Sequence, residues 1–412
     1  MKRSVLYFGF IFLLTACAVK PKVIPIKKTI TVFYTKDLAL DKIAKITTLI
    51  KQAKIKNPCL LVINGNIFRE EPITTLWRGE AEISILNSAS VDAIVLCPDF
   101  FRFGMKRAQE LIQQGNFFFL GANLKTSNPM QNFAHEYLIK DLAKTKIGLI
   151  GISFDTTEFY LTDIKWENPI WTIKRLIPML RLRSDLVGLV TVRSDSVAIS
   201  DLDFVIGAIN PKGISAPNPV KDEILCRLDL FLSPNNQIVE YRSSSVSVSD
   251  TISEDSLVQA TIQHYAARTD SILNCSIIAL KNDLTIEDFS HIISQAVFAQ
   301  TNADVLILPK QFVTKPIPKG PLTYRTLFAG GRLNQPLLIT ELNGKAIGEM
   351  KQLKSEVIIS PRLKKSKLLP NLNYRVAFPR DLWTSISLTG KTFAPTDSSL
   401  VSMIANYLKK KR

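Results

Sequence analysis

"VDAIVLCPDFFRFG" (91–104) carries the reading of the fold. Ala93 to Cys97 is a short apolar run rich in β-branched residues, which reads as a buried strand. Pro98 stops it, and a helix is expected to start after Gly104. The same unit repeats on either side. "TITVFY" (29–34) reads as a strand, and "DKIAKITTLIKQAKIK" (41–56) places Ile43, Ile46, Leu49, Ile50 and Ala53 at helical spacing. "CLLVI" (59–63) is a buried strand, followed by a helix over about 73–89. "FFFLGANL" (117–124) follows the helix after Gly104. Alternating strands and helices argue for a layered α/β domain.

Further along, "HEYLIKDLAKTKIGLIGIS" (135–153) reads as a hairpin. A helix near 169–183 precedes the strands "LVGLVTV" (186–192) and "DFVIGAI" (203–209). "EILCRLDLFLS" and "QIVEYRSSSVSV" alternate polar with apolar residues, as antiparallel strands do. The Ser-rich stretch 243–256 marks a boundary. A long helix over 254–274, a helix over 284–300, the strand "ADVLILP" (303–309), a helix near 322–329, "QPLLITELNGKAI" (335–347), "NYRVAFP" (373–379) and a final helix near 397–408 make up the second half.

The chain has 412 residues, 46% of them hydrophobic, enough for two cored domains. Its formal net charge of +16 suits an anionic partner, but no nucleic-acid motif accompanies it. Lys2 and Arg3 precede the apolar run Ser4–Leu14, which is too short to span a bilayer and has the form of a signal peptide. Leu14-Thr15-Ala16-Cys17 resembles the bacterial lipobox, which implies lipid on Cys17. Residues 18–28 ("AVKPKVIPIKK") then read as an extended Pro/Lys tether. Export and anchoring to the cell envelope, on the outer membrane or its periplasmic face, are the expectation. Cys59, Cys97, Cys226 and Cys275 have no metal-knuckle spacing and are expected to be free, mostly buried thiols.

The order of elements resembles the bacterial 5′-nucleotidase and UDP-sugar hydrolase family. The resemblance implies a layered αββα metallophosphoesterase-like domain over 29–245, after a signal peptide (1–16) and tether (17–28). A smaller α/β 5′-nucleotidase C-terminal-like domain with its linking helix would cover 246–412. "VFYTKDLAL" (32–40) falls where the family has a strand ending in T-N-D-x-H, and "LVINGNIF" (61–68) falls at its G-D motif. The opening stretch matches G-N-H-E-F-D-x-G. "DLVGLVTVRS" (185–194) lies where a strand ends in a metal-binding His, and "LDFVIGAINP" (202–211) where the family has D-x-I-x-G-H-x-H. Such a site holds two cations that activate water. In this chain Asp37 matches the first Asp. Ala39 stands for a His, Asn66 for the bridging Asp, and Pro98 and Asp99 for the Asn-His pair. Val192, Ile209 and Pro211 stand for the later His residues.

The whole chain has three histidines, His135, His264 and His291, two of them on helices of the second half. Val192 and Ile209 suggest a metal cavity filled by packing. No cofactor is expected, although Asp37, Asn66 and Asp99 could share one weakly held divalent cation. In the second domain the family's Asn/Gly-rich segment ending in Arg is "PKQFVTKP" (309–316), with Thr314 or Lys315 in place of the Arg. Phe312, Phe378 and Trp383 could stack on a nucleotide base. Ser194-Asp195-Ser196 with His135 lacks a G-x-S-x-G elbow, and "LFAGGRL" (327–333) reads as a turn. The expected role is a membrane-anchored module that binds an anionic envelope component or a nucleotide-like ligand. The alternative is a divergent phosphoester hydrolase.

Overall fold

The structure is a computed structural model. It describes residues 25–37, 40–126, 134–153, 164–192, 198–217, 225–309, 311–352, 355–363, 368–382, 394–396 and 398–411. Four parallel strands, β1 (Lys28–Thr35), β2 (Cys59–Ile63), β3 (Ala93–Val95) and β4 (Phe118–Leu120), form one side of a first sheet. β5 (Leu124–Thr126) leaves that sheet and pairs with β8 (Ile164–Trp166). The stretch 117–124 therefore holds β4 and the first residue of β5, two short strands in different sheets. A second sheet holds β6 (Tyr137–Asp141), β7 (Lys146–Ile152), β9 (Leu186–Thr191), β10 (Phe204–Gly207) and β11 (Ile214–Pro217), in the order β11-β10-β9-β7-β6. β12 (Leu225–Leu232) returns antiparallel beside β1, and β13 (Ile238–Val246) closes that edge. Ser243 to Ser245 thus belong to an exposed edge strand, since a polar edge needs no apolar pattern.

The two sheets face each other across one core. Ile30, Val32, Leu60, Val62 and Val95 meet Leu149, Val190, Phe204 and Ile206 there. The outer face of the first sheet is covered by α1 (Ile43–Lys56), α3 (Glu80–Ser88) and α4 (Met105–Gln114), through Ile46, Ile50, Ile83, Leu86 and Leu111. The expected helix over 73–89 is broken. α2 (Pro72–Trp77) stops before α3 because Arg78 (φ 49°) and Gly79 (φ 85°) adopt left-handed backbone. α5 (Pro169–Arg181) covers the second sheet with Ile173, Leu176 and Leu180.

α6 (Ser256–Asn274) links the halves and lies against α1, α2 and α3. Trp77 Nε1 donates to Thr269 Oγ1 (2.8 Å), and the Arg268 guanidinium sits 4.3 Å from the Trp77 ring centre. The second half pairs β14 (Ser276–Leu280) with β16 (Gly320–Thr323). Its main sheet has the order β18-β15-β19-β17-β20, from β15 (Val305–Pro309), β17 (Leu337–Asn343), β18 (Ser355–Ile359), β19 (Asn373–Pro379) and β20 (Ala394–Pro395). One face of that sheet packs on α7 (Ile286–Thr301), α8 (Tyr324–Gly330) and α10 (Leu400–Lys410). The other face carries α9 (Gly344–Gln352), and its apolar residues Ile307, Leu338 and Phe378 run into the core of the first sheet. No helix among the described residues is long and apolar enough to cross a membrane.

Candidate functional site

The C-terminal ends of β1, β2 and β3 converge at one pole of the sandwich. Beyond β1, Thr35 Oγ1 donates to the Asp37 carbonyl (2.9 Å). Beyond β2, the chain passes Lys36 so closely that a Cβ on Gly65 would lie 1.3 Å from the Lys36 carbonyl oxygen. That approach lets the Asn66 N–H reach Asp37 Oδ1 at 3.0 Å. Asn66 Oδ1 accepts the Phe68 N–H at 2.9 Å, closing an Asx turn. Beyond β3, Pro98 opens a 3-10 turn over Pro98–Phe101 that buries Asp99.

Asp37, Asn66 and Asp99 line one cleft of about 370 Å³. The same cleft is lined by three guanidinium side chains, Arg69, Arg102 and Arg380, with Glu70 and Phe68 beside them. Asp99 Oδ1 accepts from Arg102 Nε at 3.1 Å and Nη2 at 2.9 Å. Arg380 Nη1 donates to the same oxygen from a short turn after β19, in the other half of the chain. Arg102 is almost fully buried and also donates to the Arg69 carbonyl (3.1 Å). Asp99 Oδ2 is buried without a hydrogen-bond partner.

A two-cation site requires neutral imidazoles and bridging carboxylates around an open centre. This cleft does not fit one. Asp99 is a carboxylate, not an imidazole, and already carries the charge of two guanidinium groups. A divalent ion about 4 Å from a guanidinium would be repelled by roughly 8 kcal/mol at an effective dielectric near 20. Among the described residues no group of three His, Cys, Asp or Glu side chains could hold a metal ion. For one weakly held cation, three oxygens leave a six-ligand shell incomplete.

The remaining expectations divide. Val192 is partly buried against the inter-sheet core, so it packs as expected. Ile209 does not fill a cavity; it is 55% exposed, and Pro211 is exposed too. The inward positions after β10 are Ala208 and Asn210, both buried. Asn210 Nδ2 donates to the Ile199 carbonyl (3.0 Å). Counting the family's D-x-I-x-G-H-x-H from Asp203 and Gly207 would have reached these two residues. Gly207 needs to be glycine, with φ 93° and space for a Cβ only 1.8 Å from the Thr191 oxygen.

None of the histidines reaches the cleft lining. His135 is exposed, its ring 5.0 Å from that of Phe118, and His264 and His291 lie exposed on α6 and α7. Ala39, Ser194 to Ser196, Cys17 and Trp383 lie outside the described residues. Phe312 and Phe378 are 1% and 0% exposed, each inside an apolar core, so neither offers a ring face to a base. The Thr314 and Lys315 N–H groups both donate to the Gly330 carbonyl, which turns this segment into a tight packing loop. Cys59, Cys97 and Cys226 are free and buried, and Cys275 is free and exposed. Burial pushes the Cys97 thiol up to about 11, so it carries no thiolate near neutrality.

The sequence reading missed Arg69, Arg102 and Arg380. Arg102, three residues after Asp99, gave a local signal. Arg380 gave none, being 281 residues away.

No protein-family model matches the chain, and no curated protein matches it by sequence. Solved structures do match in fold. A 5′-nucleotidase precursor from Thermus thermophilus superposes with a TM-score of 0.56 at 13% identity, covering 93% of this chain and 96% of that one. The Haemophilus influenzae NAD nucleotidase (NadN) gives 0.58 at 11% identity, covering 93% and 96%. The Thermus thermophilus sulfate thiohydrolase SoxB gives 0.51 at 16% identity, covering 90% and 80%. The chain therefore has the two-domain α/β fold of these 5′-nucleotidase structures.

Proposed function

We propose that this chain is an exported, lipid-anchored protein that keeps the 5′-nucleotidase fold without two-metal catalysis and serves as a binding module. The observation that carries this reading is the Asp99 carboxylate, held by Arg102 from its own turn and by Arg380 from the second domain. A guanidinium cannot activate water by lowering its pKa, as a bound divalent metal does. It neutralises the carboxylate and fixes the two halves of the chain against each other. Thr75 Oγ1 donating to the Asn334 carbonyl (3.1 Å) and Asn334 Nδ2 donating to the Glu70 carbonyl (3.0 Å) add to that clamp.

The lipobox-like Leu14-Thr15-Ala16-Cys17 supports the anchor, and the excess of basic residues supports an anionic envelope component as partner. The test is elemental analysis of the purified protein together with a panel of AMP, UDP-sugars and a generic phosphodiester. The expected result is no stoichiometric transition metal and no turnover. Metal-dependent phosphate release that is abolished by Asp37→Ala would reverse the reading in favour of a divergent hydrolase.

A further inference from the structure

The pole opposite the cleft gathers the N-terminal ends of the strands. β1 begins there at Lys28, whose Nζ donates to the Ala143 carbonyl in the β6–β7 hairpin (3.2 Å). Thr145 Oγ1 of that hairpin donates to Asn236 Oδ1 in the β12–β13 turn (3.1 Å). The C-termini of α1 and α5 reach the same pole, since each helix runs back from the cleft end to start the next parallel strand. The pole thus spans four layers, on the order of 30 Å at about 10 Å per layer.

Three large apolar side chains stand in water on it: Ile26 (50% exposed), Ile55 (86%) and Leu182 (89%). Single exposed apolar residues need no explanation. Here Ile55 lies between Lys54 and Lys56, and Leu182 between Arg181 and Arg183. Basic residues near a helix C-terminus complement its dipole, which explains the charges but not the apolar tips between them. The acids at this pole take part of its charge. Asp92 accepts the Leu61 N–H and pairs with Lys140 (3.0 Å), Asp185 accepts the Lys146 N–H, and Asp203 accepts the Val187 N–H and pairs with Arg181 (2.6 Å). Lys54, Lys56 and Lys144 pair with no carboxylate among the described residues. The chain arrives at this pole from residues 1–24, which include the apolar run Ser4–Leu14 and Cys17.

We propose that this pole is a docking face for an anionic lipid bilayer, with Ile55 and Leu182 entering the headgroup layer and the cations meeting lipid phosphates. Basic residues flanking apolar tips are the chemistry of a peripheral membrane contact. Its orientation rests on the anchored reading above. With this pole down, the Asp37–Asp99 cleft opens away from the membrane.

The experiment is hydrogen exchange of the full chain on vesicles of phosphatidylcholine alone and with about 30% phosphatidylglycerol, enough anionic lipid to set a surface potential. Exchange at 54–56, 143–146 and 181–183 is expected to slow severalfold on the anionic vesicles only, and to recover in high salt. Each cation contributes about fivefold to such a contact, so Lys54→Gln, Lys56→Gln and Lys144→Gln together are expected to weaken it on the order of a hundredfold. Exchange at 99–102 stays unchanged. Retention on both vesicle types with no slowing at the pole overturns the docking face and leaves the anchor standing. Retention only on anionic vesicles, with slowing at the pole, supports the face and removes the anchor. Retention on neither removes both. Slowing on isolated envelopes but not on anionic vesicles would assign the pole to an acidic protein or polysaccharide, against lipid.

Discussion

The two poles of the sandwich use the same residue types in opposite ways. At the cleft pole a buried carboxylate, Asp99, is neutralised by guanidinium groups drawn from both halves of the chain. At the opposite pole the carboxylates accept backbone N–H groups at strand starts, two of them also pair with Lys140 and Arg181 near the surface, and Lys54, Lys56 and Lys144 face water. Burial explains the difference. An ion removed from water needs a partner or costs several kcal/mol, whereas a solvated lysine needs none. The cleft pole therefore contributes to holding the domains together, and the opposite pole contributes little to stability.

The largest effect expected at the cleft pole is from Gly65→Ala. Its Cβ would overlap the Lys36 carbonyl, separating the loops that carry Asp37 and Asn66. Chemical denaturation is expected to show a loss above about 5 kcal/mol. Asp99→Ala comes next, at about 3–5 kcal/mol, because it strands buried Arg102 and half-buried Arg380. Replacing all three with apolar residues of similar volume is expected to recover most of that loss. A loss below about 1 kcal/mol in the single variant would break the contrast between the poles.

A buried acid outside the Asp99 cluster sharpens the point. Glu82 is fully buried in α3, with one oxygen held by Thr74 and the other without a donor. Burial raises its carboxyl from the ordinary 4.5 to about 7. Between those values the folded chain holds a proton that the unfolded chain has released. Its stabilising contribution is therefore complete below pH 4.5 and is lost by about pH 7. The loss is roughly 3 kcal/mol and levels off at higher pH. Glu82→Gln is expected to flatten that part of the stability–pH profile; a profile unchanged by the substitution would contradict it. The smallest effect is expected from Lys54→Glu with Lys144→Glu, under about 0.5 kcal/mol by thermal unfolding, since neither side chain is buried or paired.

Much of the scaffold is legible in the sequence because it is written locally. The apolar runs of β2 and β3 and the helical spacing of Ile43, Ile46 and Ile50 are signals within a few residues. The break at Arg78 and Gly79 escapes such a reading because left-handed backbone leaves little trace beyond the glycine itself. The Ser-rich end of β13 carries no strand alternation because an exposed edge strand is polar on both faces. In the site, Asn66, Pro98 and Asp99 can be placed at strand ends by their position in the sequence. Their meaning cannot be read there, because Arg380 is distant in sequence and joins Asp99 only after both domains form. Ile209 is misassigned by one position, and in a strand end one residue exchanges inside for outside. Phe312 and Phe378 suggest a base clamp on residue type alone, whereas Phe312 packs in the core of the second half and Phe378 in the core it shares with the first sheet.

The central claim is that Arg102 and Arg380 occupy the Asp99 carboxylate and leave no two-cation site beside Asp37 and Asn66. Anomalous diffraction from crystals of the full chain soaked in manganese tests it most directly. The prediction is no ordered manganese among Asp37, Asn66 and Asp99, with Arg102 and Arg380 still on the Asp99 carboxylate. Two manganese ions bridged at those strand ends, with Arg380 displaced from Asp99, would contradict it.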